Sequence, residues 1–244
     1  MTDLTVPLVI AAALWGAAAG ALLPRAAYRF SAPAGEDWRE ACPEGHPLRG
    51  WLGRGRCGKC PQKTYGPSAV LLSVATALIS AALATATGTR PEIGVWLLLA
   101  PVCVLLTVVD FRVKRLPDPL TLPLAGAALV LLGAVALVPE HAGEWLTALY
   151  GCLALAGGYF VLFLINPAGM AFGDVKLALG LGAVLGWYGW PTLMLGTFAG
   201  FLLGGLYAGG LVAVRKAGRK TAIAFGPFMI AGAFVGVLIG AYAA

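Results

Sequence analysis

Charge is what this sequence has least of. Asp, Glu, Lys and Arg make up 11% of the residues against 59% hydrophobic ones, and the mean hydropathy is +0.85. That leaves too little polar surface to close over a water-soluble core, which excludes an ordinary soluble domain. The chain also has no fixed-period repeat and no low-complexity tail. Its five cysteines do not make a disulfide scaffold. Cys103 and Cys152 fall inside apolar runs as packing residues, leaving the odd trio Cys42, Cys57 and Cys60 in one polar segment. No basic residue precedes the first apolar run, only Asp3, so that run reads as a retained span rather than a cleaved signal peptide.

What is present is a series of long apolar runs, which indicates an all-α polytopic membrane protein. The first, Leu4 to Leu23, has the length that crosses a hydrocarbon core of about 30 Å at ~1.5 Å per residue. Others follow at about 67–87, 93–109, 119–138, 145–165, 177–189, 191–214 and 221–243. Reading Trp187 to Pro191 (WYGWP) as a tight turn gives about eight transmembrane helices. The segments 24–66, 110–118, 166–176 and 215–220 then share one side and hold every Lys and Arg except Arg90. By the positive-inside rule that side is the cytoplasm, with the N-terminus outside. Merging the two runs around WYGWP would put RKAGRK (215–220) on the far side, which the rule disfavours. The formal charge of +6 therefore faces anionic lipid rather than nucleic acid. Three parts are expected: a first transmembrane helix at 1–23, a small cytoplasmic cysteine-containing domain at 24–66, and a transmembrane core at 67–244. Glycines at small-xxx-small spacing, among them Gly200, Gly204, Gly205 and Gly232, Gly236, Gly240, predict close helix packing.

Between Glu144 and Arg215 the only ionised side chains are Asp174 and Lys176. A carboxylate beside hydrocarbon is costly and marks a functional site. The same topology puts Asp110 at the cytoplasmic end of the third span and Asp174 at the cytoplasmic mouth of the sixth. Two carboxyls brought close share a proton, so one activates a water while the other donates to a carbonyl, with no metal and no nucleophilic Ser or Cys. On spacing alone three readings stay open: an aspartyl dyad, a proton or cation transport site, and structural pairing with Arg112 and Lys176. A transporter of the repeat-built kind would carry an inverted internal repeat, which this chain lacks.

The run DFRVKRLPDPLTLP, Asp110 to Pro123, resembles the first motif of the type IV prepilin peptidase family: an aspartate followed six residues later by Leu-Pro-Asp and then Leu-Thr, here Leu116, Pro117, Asp118, Leu120 and Thr121. GMAFGDVKL, Gly169 to Leu177, resembles the second motif in Gly173, Asp174, Lys176 and Leu177, and FGPF at Phe225 to Phe228 resembles a third. The family comprises intramembrane aspartic endopeptidases of the GxGD type. The resemblance implies Asp110 and Asp174 as the catalytic pair. Gly173 would support them by letting a substrate strand approach without a Cβ in the way. Lys176 would either orient the neighbouring carboxylate or anchor to lipid headgroups. Asp118, followed by Pro119, would cap or turn the start of the next helix.

The resemblance further implies substrates: the short basic leaders of type IV prepilins or related pseudopilins, cut after a Gly at the cytoplasmic face. Many full-length relatives also methylate the new N-terminus with S-adenosylmethionine, although no glycine-rich strand-turn-helix signature for a methyl donor is visible here. Two departures stand out. Ala171 replaces a usual Gly, which activity should survive unless the position needs positive φ. The family's two CxxC pairs, which look like a four-thiolate zinc site, are reduced to Cys42, Cys57 and Cys60, with His46 available as a fourth zinc ligand; a degenerate site without metal is the alternative. A glutamate usual near Val70 is absent as well. A non-catalytic pilus or secretion assembly factor is the remaining alternative for the whole chain.

Overall fold

The computed structural model describes residues 2–33, 35–60, 64–167, 169–214 and 223–244. The expected RKAGRK loop at 215–220 lies outside them. Among the described residues there are eight α-helices and no strand: α1 (Thr2–Phe30), α2 (Ala69–Thr87), α3 (Ile93–Val113), α4 (Asp118–Val135), α5 (Trp145–Ile165), α6 (Phe172–Trp187), α7 (Trp190–Ala213) and α8 (Gly226–Ala243). Seven are long and apolar enough to cross a membrane. The exception is α6, whose 16 residues reach only about 24 Å. WYGWP is a turn, as an eight-helix chain requires: Gly189 takes φ +93° between α6 and α7, and Pro191 sits in the first turn of α7. Trp187, expected in a loop, is instead fully buried, whereas Trp190 remains exposed.

The chain forms two compact units, one of residues Met1–Thr89 and Ile93–Arg115, the other of Arg90–Glu92 and Leu116–Ala244. In the first, α1 packs on α2 and both contact α3. A Cβ added at Gly16 would stand 2.5 Å from the Thr76 carbonyl and 2.6 Å from the Ser80 hydroxyl, so glycine is what allows α1 this close. Trp15 Nε1 donates to the Leu97 carbonyl of α3 at 2.9 Å.

The first helix runs seven residues beyond the expected Leu23, through Pro24 to Phe30. Proline has no N–H and should stop a helix in its interior. Here the polar segment supplies partners from outside: Arg25 N–H donates to the Gly53 carbonyl (3.0 Å) and Gly53 N–H donates to the Leu22 carbonyl (2.7 Å). The expected boundary at residue 23 therefore falls inside α1, and the cysteine segment is laid along the end of the helix.

In the second unit α6 contacts α4, α5, α7 and α8. Surrounded by protein, it needs less than a lipid-spanning length. Its closest neighbour is α5, where Gly151 and Cys152 meet Gly182 backbone to backbone. Gly200 and Gly232 do the same between α7 and α8, while Gly205 faces open space. The connector Arg90–Glu92 belongs to this unit. Glu92 is fully buried, its Oε1 accepting from Tyr188 O–H and Ala142 N–H (both 3.4 Å) beside Arg90 (3.9 Å), and Arg90 donates to the Ala241 carbonyl at the end of α8.

Candidate active site and cysteine cluster

Asp110 lies in the last turn of α3 and is only 4% exposed. Its carbonyl accepts the Lys114 N–H at 2.8 Å, with Lys114 at φ +51° closing the helix in the left-handed conformation. The next residue, Arg115, is held by the cysteine segment: Nη1 donates to the Pro33 carbonyl (2.9 Å) and the Glu36 carbonyl (3.4 Å), and the guanidinium sits 4.3 Å from the Trp38 ring. Trp38 in turn packs edge-on against Phe30 of α1. The end of the Asp110 helix is thus braced by the polar segment.

Asp174 is at the third position of α6, again 4% exposed. Its Oδ2 accepts the Ala171 N–H at 3.2 Å, satisfying one of the amide donors that a helix start leaves open, in a place where the helix dipole favours a carboxylate. Ala171 stands at φ −81° and ψ 147°, ordinary extended backbone. The alanine that replaces a usual glycine therefore costs no strain. Upstream, Asn166 Oδ1 accepts the Gly169 N–H at 3.1 Å and folds the approach to the helix.

The supporting residues fall around this helix start. Gly173 faces Leu116 rather than open space; a Cβ there would come within 3.0 Å of the Leu116 Cβ. Lys176 donates to Asp118 Oδ2 at 2.7 Å, tying the first turn of α6 to the first turn of α4. Lys176 thus takes its carboxylate partner from 58 residues away. Asp118 opens α4, with Pro119 in its first turn. Phe225 of FGPF, just before α8, packs with Phe201 of α7 and the buried Tyr159 of α5.

The Lys176–Asp118 pair is partly exposed, 22% and 57% by side chain, so screening keeps its contribution small. A double-mutant cycle with Lys176→Met and Asp118→Asn, read by thermal unfolding in detergent, should give a coupling of about 0.5 kcal/mol. A coupling several times larger would show that the pair organises more than two helix ends.

In the polar segment Cys42, His46, Cys57 and Cys60 converge, their ligand atoms all within 4.8 Å of one another. Cys42 Sγ is 3.3 Å from Cys60 Sγ and 3.5 Å from His46 Nδ1; Cys60 Sγ is 3.4 Å from the same nitrogen. The cysteines are free thiols. The cluster packs with Tyr28 of α1, Tyr65 and Leu48. The Lys59 N–H beside Cys57, helped by Cys60, lowers the Cys57 thiol below its ordinary range. At Cys42 burial works the other way, and contacts from Cys60 and the Glu44 and His46 backbone outweigh it to lower the thiol. Burial and these two neighbours push Cys60 up.

A profile of the type IV leader peptidase family matches residues 97–209, a stretch that contains Asp110 and Asp174. A prepilin leader peptidase/N-methyltransferase of Aeromonas hydrophila is 34% identical over 201 residues, covering 81% of this chain and 67% of its own. The chain belongs to the type IV leader peptidase family. Family members of the same name from Pseudomonas aeruginosa (31% identical over 219 residues, 82% of this chain and 71% of theirs) and Escherichia coli (34% over 168 residues, 64% and 69%) agree. No solved structure matches the chain. Membership of a peptidase family makes the chain an enzyme, and its seven long apolar helices make it a multi-pass membrane protein.

The sequence did not single out two residues beside these motifs: Arg115, directly before Leu116-Pro117-Asp118, and Tyr159, whose ring contact with Phe225 relates it to the FGPF stretch.

Proposed function

We propose that the chain is an intramembrane aspartic endopeptidase that cuts the basic leader from type IV prepilin or pseudopilin-like proteins, after a Gly and at the cytoplasmic face of a bacterial inner membrane. The observation that carries this is a pair of carboxyls, Asp110 and Asp174, each 4% exposed at a helix end and both inside the stretch matching a leader peptidase family.

In the proposed reaction one carboxylate takes a proton from water while the protonated partner gives one to the scissile carbonyl oxygen. The water oxygen bonds to the carbonyl carbon. The C–N bond then breaks as the departing amine takes up the proton gained by the base, and one hydroxyl of the tetrahedral intermediate returns its proton to the partner carboxylate, leaving the product carboxyl group. Asp174 is positioned by accepting the Ala171 N–H, and the helix end that carries Asp110 is braced through the Arg115 side chain. The distribution of Lys and Arg favours a cytoplasmic site, with residues 24–66 on that side.

Purified protein incubated with a prepilin should release a product lighter by the leader, as weighed by mass spectrometry. An intact prepilin would refute the reading and favour an assembly factor, and ion uptake by sealed vesicles would favour a transporter. Adding S-adenosylmethionine tests the second activity, N-methylation, which rests on the relatives' names. The described residues contain no strand-turn-helix to receive such a donor, and no residue is assigned to that step.

The cysteine cluster fits zinc. Bonds of about 2.3 Å to sulfur and 2.0 Å to imidazole set tetrahedral ligand separations of roughly 3.5–3.8 Å. The separations of 3.3, 3.5 and 3.4 Å among Cys42, Cys60 and His46 fall close to that range, with Cys57 3.9 Å from the same nitrogen. Cys42, Cys57, Cys60 and His46 Nδ1 would hold the ion, which would lock the segment onto α1. Cys60→Ser should lose the metal by elemental analysis and open residues 31–66 to protease. Metal content unchanged in that variant would remove Cys60 from the ligand set.

A further inference from the structure

The segment Arg49 to Arg56, RGWLGRGR, belongs neither to the catalytic reading nor to the cysteine cluster. It exposes two large apolar side chains, Trp51 at 41% and Leu52 at 60%. Arg49, Arg54 and Arg56 flank them in sequence, all exposed, and no acidic residue occurs from His46 to Gly66. An exposed Trp-Leu pair in a stretch rich in arginine is costly in water and matches the composition of a bilayer interface.

Its height along α1 is fixed by hydrogen bonds. Gly53 bonds through its backbone to Leu22 and Arg25, where the apolar run of α1 ends. Leu52 is therefore next to the hydrocarbon edge. On the other side of Leu52, Trp51 stacks on Phe30 at 4.7 Å and lies under the Arg29 guanidinium at 3.9 Å; Arg25 and Arg29 also donate to the Arg49 (2.6 Å) and Gly50 (2.8 Å) carbonyls. Phe30 is about 10 Å further along the helix axis than Leu23. The loop between them thus spans the headgroup layer, ~5–8 Å thick.

We propose that Arg49–Arg56 is a membrane-insertion loop that docks the cysteine segment onto anionic lipid headgroups. Leu52 enters the acyl-chain boundary, Trp51 lies among the headgroups, and Arg49, Arg54 and Arg56 take their phosphates. The occupant follows from charge: a loop whose own ionised side chains are all cationic, at this level, meets the leaflet's phosphates. This inference is independent of the peptidase chemistry.

Full-length protein and its Trp51→Phe variant, which keeps the stack on Phe30, are reconstituted into zwitterionic bilayers and into bilayers with added phosphatidylglycerol. The difference between their emission spectra is the signal of Trp51. It should be blue-shifted, lose most of its intensity to lipids brominated near the acyl carbonyl, resist acrylamide, and respond more strongly when phosphatidylglycerol is present. Replacing Arg49, Arg54 and Arg56 together by Gln should abolish that lipid dependence. Quenching by acrylamide without response to bromolipid places the loop in water and overturns the proposal. Shielding from both quenchers means that another protein surface covers it, and overturns it equally. Lipid dependence that survives the triple Arg→Gln variant overturns the assignment of the arginines.

Discussion

Asn at Asp110 or at Asp174 is expected to leave a protein that inserts into the membrane normally and cuts nothing. The change is nearly isosteric, and in Asp174→Asn the side-chain amide oxygen can still accept the Ala171 N–H that Asp174 Oδ2 accepts now at 3.2 Å, so the start of α6 survives. What disappears is the proton-accepting group. General acid–base catalysis by one placed group contributes about 10²–10⁴-fold, and in a dyad each carboxyl needs the other, so either variant should lose at least ~10³-fold in kcat. Substrate affinity and membrane insertion should be unchanged. The measurement is leader cleavage by mass spectrometry beside a detergent melting curve. A variant that melts normally and still cuts would end the dyad reading, whereas one that fails to melt cooperatively says only that the side chain was needed to fold.

Gly182→Val is expected to be strongly damaging although it lies away from the aspartates. A Cβ at Gly182 would stand 2.9 Å from the Cys152 Cα and from the Gly151 carbonyl carbon, atoms of the α5 backbone that have no rotamer to escape into. The helices must part, and overpacking of this kind costs typically ~1–3 kcal/mol, more when backbone rather than side chain is met. The displaced helix carries Asp174 eight residues away, so activity should fall together with the melting temperature. Gly157→Ala is the control. It sits on α5 with nothing near its Cβ position, so the substitution should be neutral or stabilise by up to ~1 kcal/mol.

The helices were legible because lipid demands a fixed length of apolar chain, and the Lys and Arg pattern decided whether WYGWP was a kink or a turn. The ends were less legible. Pro24 reads as a stop in a local argument, and α1 passes it with Gly53, distant in sequence, hydrogen-bonded to Arg25 and Leu22. Burial of Trp187 was hidden for a related reason. An aromatic beside a turn suggests a membrane interface, but Gly143 leaves room for the indole to fold inward, the Trp187 carbonyl accepting the Glu144 N–H. Around the candidate site, the sequence singled out the acids by their rarity. It could not say that Lys176 reaches Asp118, or that Arg115 holds carbonyls of the cysteine segment, because pairings across tens of residues leave no local period.

The passage of α1 through Pro24 makes the cysteine segment a surrogate turn of the first transmembrane helix. With that segment deleted, Arg25 N–H and the Leu22 carbonyl would lose their bonds to Gly53 at the lipid boundary. A shortened protein should therefore hold the end of its first helix less firmly. The extramembrane segment and the helix beneath it are in this sense one folding element, and an insertion or deletion in either has to be matched in the other.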